Sequence, residues 1–251
     1  MSVRALIAVA ALTLSGCASQ ETARTETDPW EPLNRAIFAF NDVPDRYLLK
    51  PVARGYQAVL PTPVRRGVGN FFDNLVTPRS MINNFLQGKP DRGGSDLGRF
   101  LINSTIGIGG IFDVASAVGY DVYNEDFGQT FAVWGVPDGP FIMIPLLGPS
   151  TLRDGVAFPL DWQANPLVHY DNSSVRDKLI ILRTIDLRSR LLAADQLIAG
   201  SPDPYVTIRE SFLQNRAYQV YDGDPPIDED LYEEFDDLDD FEDLEDFDDQ
   251  D

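Results

Sequence analysis

The chain has one cysteine and one histidine among its 251 residues, and this scarcity excludes several kinds of site. A single cysteine, Cys17, cannot form a disulfide within the chain, and a lone histidine, His169, excludes a histidine-rich metal site. Beside Tyr170 and Asp171, His169 is expected to make a structural hydrogen bond more often than to act as a general base. We therefore expect neither a metal nor a cofactor.

The motifs of common enzymes are also missing. A nucleophile elbow requires Gly-x-Ser-x-Gly, whereas residues 93–97 read GGSDL and lack the final glycine. Residues 107–110, GIGG, lack the third glycine of a dinucleotide-binding loop, and no Walker lysine follows them. We expect that the protein is not an enzyme, and a phospholipase is disfavoured for the same reasons.

Positive charge is absent from the last thirty residues. Residues 222–251 contain 18 of the 40 acidic residues and no Lys or Arg, so the net charge of −20 falls to −2 over residues 1–221. The remainder carries no basic stripe, which excludes a nucleic-acid partner. The acidic composition predicts that residues 222–251 are a disordered tail, and a docking motif for a basic partner is the alternative.

No apolar run at the N-terminus is long enough to span a bilayer. The run Ala5–Leu14 has 10 residues and follows Arg4, which is typical of a secretory signal. It ends in LSGC, which resembles the lipobox of bacterial lipoproteins. We predict a signal peptide over residues 1–16, a lipid anchor on Cys17 and a polar tether over 17–27, with an incidental cysteine as the alternative.

Strand-like alternation is weak, so the body, residues 28–221, is predicted to be mainly α, with many short amphipathic helices broken by 18 prolines and 19 glycines. The longest helix is expected over 174–199 and another over 205–218. A polar cap followed by proline marks further helix starts. These pairs are Asp28-Pro29 (with Glu31 completing a capping box), Thr62-Pro63, Thr77-Pro78, Ser201-Pro202 and Asp203-Pro204.

Two segments are too apolar for surface loops and too rich in glycine or proline for ordinary core helices. They are residues 100–115, FLINSTIGIGGIFDVA, and residues 134–149, WGVPDGPFIMIPLLGP. In a soluble protein both would belong to the core, whereas in a lipid-anchored protein they can face acyl chains.

Seven strings, in order, resemble the signature blocks of the MlaA/VacJ family of outer-membrane lipoproteins, over about residues 28–218. They are DPWEPLNRAIFAFND, LLKPVARGY, NNFLQG, RFLINSTIGIGGIFDVA, EDFGQTFAVWGV, GPFIMIPLLGPSTLRD and SPDPYVTIRESF. The resemblance implies a helical, ring-like body in the inner leaflet of the outer membrane, anchored from the periplasmic side and pierced by an amphipathic channel. It also implies that phospholipid misplaced in the outer leaflet passes through this channel to the periplasmic carrier MlaC, while trimeric porins hold the ring. No reaction is implied.

On the same resemblance, residues 95–106 and 111–119 are the arms of a hairpin that gates the channel. The gate candidates are Ile106, Gly107, Ile108, Gly109 and Gly110, and the candidate polar groups at the channel are Asn103 and Asp113. A transmembrane helix over 100–120 is an alternative, but it would place Asp113 in hydrocarbon at about 2.5–3.5 kcal/mol. The second alternative is a buried hairpin without a gating role.

Two functions are weighed. The first is removal of outer-leaflet phospholipid, which maintains lipid asymmetry. The alternative is an interaction lipoprotein that docks a porin without moving lipid. The pair Arg153-Asp154 matches a family block, although an internal ion pair would explain it as well.

Overall fold

The computed structural model describes residues 28–226 of the chain. The predicted signal peptide, Cys17, the tether and all of the acidic tail beyond residue 226 lie outside the described residues. By its contacts the chain divides into two units, Met1–Phe212 and Leu213–Asp251.

The prediction of a mainly helical fold is confirmed. The helices are α1 (Glu31–Pro44), α2 (Lys50–Val59), α3 (Thr62–Leu86), α4 (Pro90–Thr105), α5 (Val114–Ala117), α6 (Phe127–Val133), α7 (Leu152–Gln163), α8 (Ser173–Arg190), α9 (Ala194–Ala199) and α10 (Pro204–Val220). A π-helical segment, Asp45–Leu49, joins α1 to α2, and short 3-10 helices occur at Pro166–His169 and Leu191–Ala193. The longest helix, α3, packs along α4, and α8 packs against α2 and α3.

A small antiparallel hairpin interrupts the helices. Strands β1 (Phe141–Ile144) and β2 (Gly148–Thr151) pair with Phe141 opposite Thr151. Most of this hairpin belongs to the apolar segment 134–149, where the sequence pattern did not predict strands, and β2 continues beyond that segment to Thr151.

Helix α1 completes the free edge of β1 with two asparagines. Asn34 donates from Nδ2 to the carbonyl of Phe141 at 3.0 Å and accepts from the backbone N–H of Met143 at 2.8 Å. Two helical turns later, Asn41 pairs with the backbone of Ile144 and Leu146 in the same way, at 3.0 and 2.7 Å. The inner face of α1 is therefore polar, because its side chains replace the strand that β1 lacks.

The start predicted at Asp28 is wrong. Helix α1 begins at Glu31 after an N-cap at Trp30, and no side chain caps it. Asp28 is instead fully buried, where its carboxylate accepts hydrogen bonds from Asn34 at 2.8 Å, Arg209 at 3.1 Å and the hydroxyl of Tyr205.

The starts predicted at Thr77-Pro78 and Ser201-Pro202 are also wrong, whereas those at Thr62 and Asp203-Pro204 match α3 and α10. Pro78 lies inside α3, which continues because Ser80 and Asn84 beyond it are buried and hydrogen-bond to Asp96 on α4. These bonds offset the backbone hydrogen bond that proline removes.

The single helix predicted over 174–199 is divided. Helix α8 ends at Arg190, and a 3-10 turn separates it from α9. Asp195 forms ion pairs with Lys50 and Arg188, each at 2.9 Å, and these contacts hold the tightened turn in place.

In the second unit, residues 213–226, the chain leaves α10 through a left-handed turn. Asp222 and Gly223 have φ of 56° and 96°, and the Gly223 N–H donates to the carbonyl of Tyr218 at 2.8 Å. This arrangement is typical of a helix C-terminus.

Candidate functional site

Helix α4, the turn after it and α5 form a hairpin over residues 90–120, and two cavities adjoin it. The first, here called the apolar cavity, has a volume of about 860 Å³. Its wall is made mainly of aliphatic and aromatic side chains from α3, α8 and the second arm of the hairpin. Among them are Val68, Phe71, Phe72, Ile111, Phe112 and Leu182.

The second, here called the polar cavity, has a volume of about 380 Å³ and is rich in charge. Its cationic wall residues are Arg79, Arg99, Arg183 and Arg190, and its carboxylates are Asp73, Asp96 and Asp113. The two cavities therefore differ in chemistry as the two ends of an amphipathic molecule do.

The two cavities meet along shared residues. Asn70 of α3 and Asp113 of the hairpin line both of them. On α8, Leu182 lines the apolar cavity and the next residue, Arg183, lines the polar one. Successive residues on a helix point about 100° apart, so one helix can serve both cavities.

Asp113 joins the two arms of the hairpin. Its carboxylate accepts from the guanidinium of Arg99 at 3.0 and 3.1 Å, from Asn103 at 3.0 Å and from the hydroxyl of Ser116 at 2.6 Å. Partial burial would raise the pKa of Asp113, but the bonds from Ser116 and Asn103 and the charge of Arg99 lower it to about 2. The carboxylate therefore stays ionised at the junction of the cavities.

The predicted polar candidates Asn103 and Asp113 both line the polar cavity. Asn103 is 5% exposed and also accepts from the backbone N–H of Ala115 at 2.9 Å. The Asp113 side chain is 30% exposed, so a ligand in either cavity can reach it. That these two residues serve a channel stays a prediction.

The gate candidates form the turn between the arms. Ile108, Gly109 and Gly110 have φ of 53°, 69° and 91°, and the Gly110 N–H donates to the carbonyl of Asn103 at 2.7 Å. Ile106 and Ile108 are exposed, while a Cβ on Gly110 would lie 2.4 Å from the Cβ of Asn74. Gly110 therefore rests against α3 and only the tip of the turn is free.

Residues 106–110 line neither cavity, and the wall begins at Ile111 and Phe112. Their role as a gate stays a prediction. The alternative of one helix over 100–120 is wrong, because α4 ends at Thr105. Over residues 28–226, no helix combines the length and apolar character needed to cross a membrane.

Asp96 lies at the base of the polar cavity and is 1% exposed. Ser80 and Asn84 donate to one of its oxygens at 2.7 and 2.9 Å. Burial raises the pKa of Asp96 to about 6, against the opposing effect of these bonds and of Arg99. This buried carboxyl group therefore keeps its proton to a higher pH than an ordinary aspartate does.

Sequence reasoning missed the arginines of the polar cavity. Arg183 and Arg190 are seven residues apart on α8, which places them on one face of the helix, two turns apart. That spacing was the signal that could have identified them.

The remaining candidates have structural contacts. His169 donates from Nε2 to the carbonyl of Gln163 at 2.7 Å, as its sequence context predicted. The Arg153 side chain, 3% exposed, forms ion pairs with Asp138 and, at 3.4 Å, with Asp154, which confirms the internal ion pair. No cluster of three potential metal ligands occurs within residues 28–226.

The comparisons with known proteins agree with the resemblance. The family model described as MlaA lipoprotein matches residues 26–219, so the chain belongs to the MlaA lipoprotein family. The resemblance stated from the seven sequence blocks is thereby confirmed.

Particular relatives extend this result. A protein of Rickettsia typhi is 36% identical over 195 residues, which are 77% of this chain and 78% of that protein. The Escherichia coli (strain K12) protein named "Intermembrane phospholipid transport system lipoprotein MlaA" is 34% identical over 223 residues, 87% of this chain and 88% of that protein. A solved structure described as "Structural basis for maintenance of bacterial outer membrane lipid asymmetry" matches with a TM-score of 0.68 and 36% identity. The match covers 77% of this chain and 98% of the solved chain.

Proposed function

We propose that this protein is an outer-membrane lipoprotein that removes phospholipid from the outer leaflet and so maintains lipid asymmetry. Phospholipid would pass through an amphipathic channel to the periplasmic carrier MlaC, while a trimeric porin holds the body in the membrane. The acyl anchor would be on Cys17, on the periplasmic side, and no reaction would be catalysed.

The observation that carries this proposal is the pair of adjoining cavities. A phospholipid has an apolar part and a charged part joined at one point, and the apolar and polar cavities meet at Asn70 and Asp113. The apolar cavity, at about 860 Å³, lies within the range of about 300–1,000 Å³ common for ligand sites.

The distribution of polarity supports immersion of the body in lipid. Among the described residues, twenty polar or charged residues are buried against eight apolar or aromatic ones. The exposed face of α1 and the segment after it carries large apolar side chains, including Leu33 at 59% exposure and Phe40 at 55%. Exposed apolar surface of this extent is typical of contact with a membrane or a partner.

The printed names of the relatives support the same function. The Escherichia coli relative is named for intermembrane phospholipid transport, and the solved relative for outer-membrane lipid asymmetry. Neither name describes a reaction.

A docking protein that moves no lipid would also need the exposed apolar face of α1. It would not need a charged cavity beside an apolar one. The cavities therefore favour transport over docking alone.

The experiment is a measurement of outer-leaflet phospholipid on intact cells with a membrane-impermeant reagent that labels headgroup amines. Deleting the gene should raise the labelled phospholipid, and the wild-type chain should restore it. The variant Cys17→Ala is the matched control, because it retains the cavities but loses the acyl anchor, and it should not restore the wild-type level. If deletion leaves the labelled phospholipid unchanged, the transport proposal is wrong and docking becomes the better function.

A further inference from the structure

Three of the four arginines of the polar cavity already have polar partners. Arg99 pairs with Asp113 at 3.0 Å, and Arg190 pairs with Asp186 at 2.8 Å and Asp73 at 3.2 Å. Arg79 donates to Asn124 at 3.1 Å and lies 3.7 Å from Asp161. These arginines have structural contacts in the absence of a ligand.

Arg183 differs from them. Within residues 28–226 it has no hydrogen-bond or ion-pair partner, and only the carboxylate of Asp73 favours its charge from a longer distance. Burial and the nearby charges of Arg79 and Arg190 lower the pKa of Arg183. An arginine guanidinium stays protonated at neutral pH in proteins, so this residue places an unpaired positive charge at the cavity wall.

The carboxylates of the polar cavity have partners as well. Asp113 is bound by Arg99, Asp73 by Arg190, and one oxygen of Asp96 by Ser80 and Asn84. None of them is within ion-pair distance of Arg183. The guanidinium of Arg183 can therefore bind an anion with oxygen acceptors, and its planar geometry suits a phosphate.

The position of Arg183 indicates which phosphate. Its neighbour in the sequence, Leu182, lines the apolar cavity, so both cavities adjoin α8 at this point. In a phospholipid the phosphate is likewise close to the start of the acyl chains. A soluble phosphate ester would use the polar cavity and leave the apolar one empty.

We propose that Arg183 binds the phosphate of the transported phospholipid, with the headgroup in the polar cavity and the acyl chains in the apolar cavity. The proposal rests on the proposed function and adds to it the group that recognises the lipid. Binding would depend on the phosphate, which every phospholipid carries, so lipids of different headgroups would be accepted.

The experiment uses the full-length protein purified in detergent and measures the binding of three ligands. They are dioleoyl phosphatidylglycerol, dioleoylglycerol, which lacks the phosphate, and glycerophosphoglycerol, which lacks the acyl chains. The variants are Arg183→Ala, Arg183→Lys and, as matched control, Lys178→Ala, which removes one positive charge from an exposed position on the same helix.

The wild type should bind phosphatidylglycerol more tightly than dioleoylglycerol. Arg183→Ala should weaken phosphatidylglycerol binding about tenfold or more, since it removes a charge-assisted contact, and leave dioleoylglycerol binding unchanged. Arg183→Lys should retain part of the preference for phosphatidylglycerol over dioleoylglycerol, and Lys178→Ala should retain all of this preference. Unchanged dioleoylglycerol binding also shows that Arg183→Ala is folded.

The outcomes separate the two proposals. If Arg183→Ala binds phosphatidylglycerol as the wild type does, or if Lys178→Ala loses as much, the assignment of Arg183 is wrong and the transport function stands. If glycerophosphoglycerol binds as tightly as phosphatidylglycerol and depends on Arg183, the site is one for soluble phosphate esters. If the wild type binds no phosphatidylglycerol, the proposed function fails with the assignment.

Discussion

At the residue scale, Asp96 gives the protein a dependence on pH. Its pKa is raised to about 6, mainly by burial, so the folded state holds this proton over a range in which the unfolded chain has released it. The stabilising effect of the proton is complete below about pH 4, the range of an ordinary aspartate, and is lost as the pH rises through 6.

We expect Asp96→Asn to be increasingly more stable than the wild type as the pH rises from 4 to 7. The amide oxygen can still accept from Ser80 and Asn84, and no charge is buried. The difference in free energy of unfolding should change by roughly 1–3 kcal/mol across this range.

Thermal unfolding of both proteins in one detergent, at pH 4, 5, 6 and 7, measures this difference. Asp113→Asn is the control. The pKa of Asp113 is lowered to about 2, so the pH range in which its protonation changes the stability lies below pH 4. A difference between Asp96→Asn and the wild type that stays constant over the four pH values would contradict the prediction.

At the element scale, the helices show where sequence patterns succeed and fail. The pairs Thr62-Pro63 and Asp203-Pro204 located the starts of α3 and α10, because proline fits the first turn of a helix, where its missing N–H breaks no hydrogen bond. Asp28-Pro29 failed because its carboxylate is recruited by Tyr205 and Arg209, far along the chain. Contacts at long sequence separation leave no local pattern.

The face of α1 shows a second limit. Trp30, Leu33, Ile37 and Phe40 form an apolar stripe at helical spacing, and in a water-soluble protein that stripe would be buried. Here Trp30, Leu33 and Phe40 are exposed and Asn34 is buried. This periodicity is that of a helix, but it does not decide which face points inward. The inward face here is the polar one, because Asn34 and Asn41 pair with the edge of β1.

The candidate site was predictable only in part. The hairpin with Asn103 and Asp113 was identified through the family blocks. The spacing of Arg183 and Arg190 predicts only that they share a face of α8. The cavities depend on the packing of α8 against α3, which no local motif encodes.

The turn of the hairpin, residues 106–110, allows a test of the gate with a matched control. Gly109 has φ +69° and a Cβ there would meet nothing within 4 Å, and the same holds for Gly135, at φ +88°, after α6. Tryptophan at either position therefore imposes a similar backbone strain, about 1–2 kcal/mol, without a collision at Cβ.

We expect Gly109→Trp to change outer-leaflet phospholipid on intact cells and Gly135→Trp to leave it at the wild-type level. Both variants should remain in the outer-membrane fraction, since both retain Cys17, the proposed acyl anchor. If both substitutions change outer-leaflet phospholipid equally, backbone strain explains the change, and the prediction of a gate at this turn is contradicted.

At the scale of the whole molecule, the net negative charge is unevenly distributed along the chain. The family match ends at residue 219, and α10 ends at Val220 and is closed by the turn at Gly223. Most of the net negative charge lies after this point.

Deleting residues 227–251 should therefore leave the protein in the outer-membrane fraction and restore asymmetry as the full chain does. The helix-closing residues up to Asp224 are retained in this deletion. Membrane fractionation and the surface-lipid measurement check the two parts. Loss of the truncated protein from the outer-membrane fraction would show that the acidic residues contribute to location.

Buried Asp28 also has a mechanical consequence. It is the first residue after the predicted tether, and it is held by Asn34 of α1 and by Tyr205 and Arg209 of α10. If Cys17 carries the acyl anchor, a force between the bilayer and the folded body acts on Asp28. The contacts of its carboxylate distribute this force over α1 and α10. A load on such an anchor would then bypass the hairpin and both cavities, and it would not deform the proposed lipid-binding site.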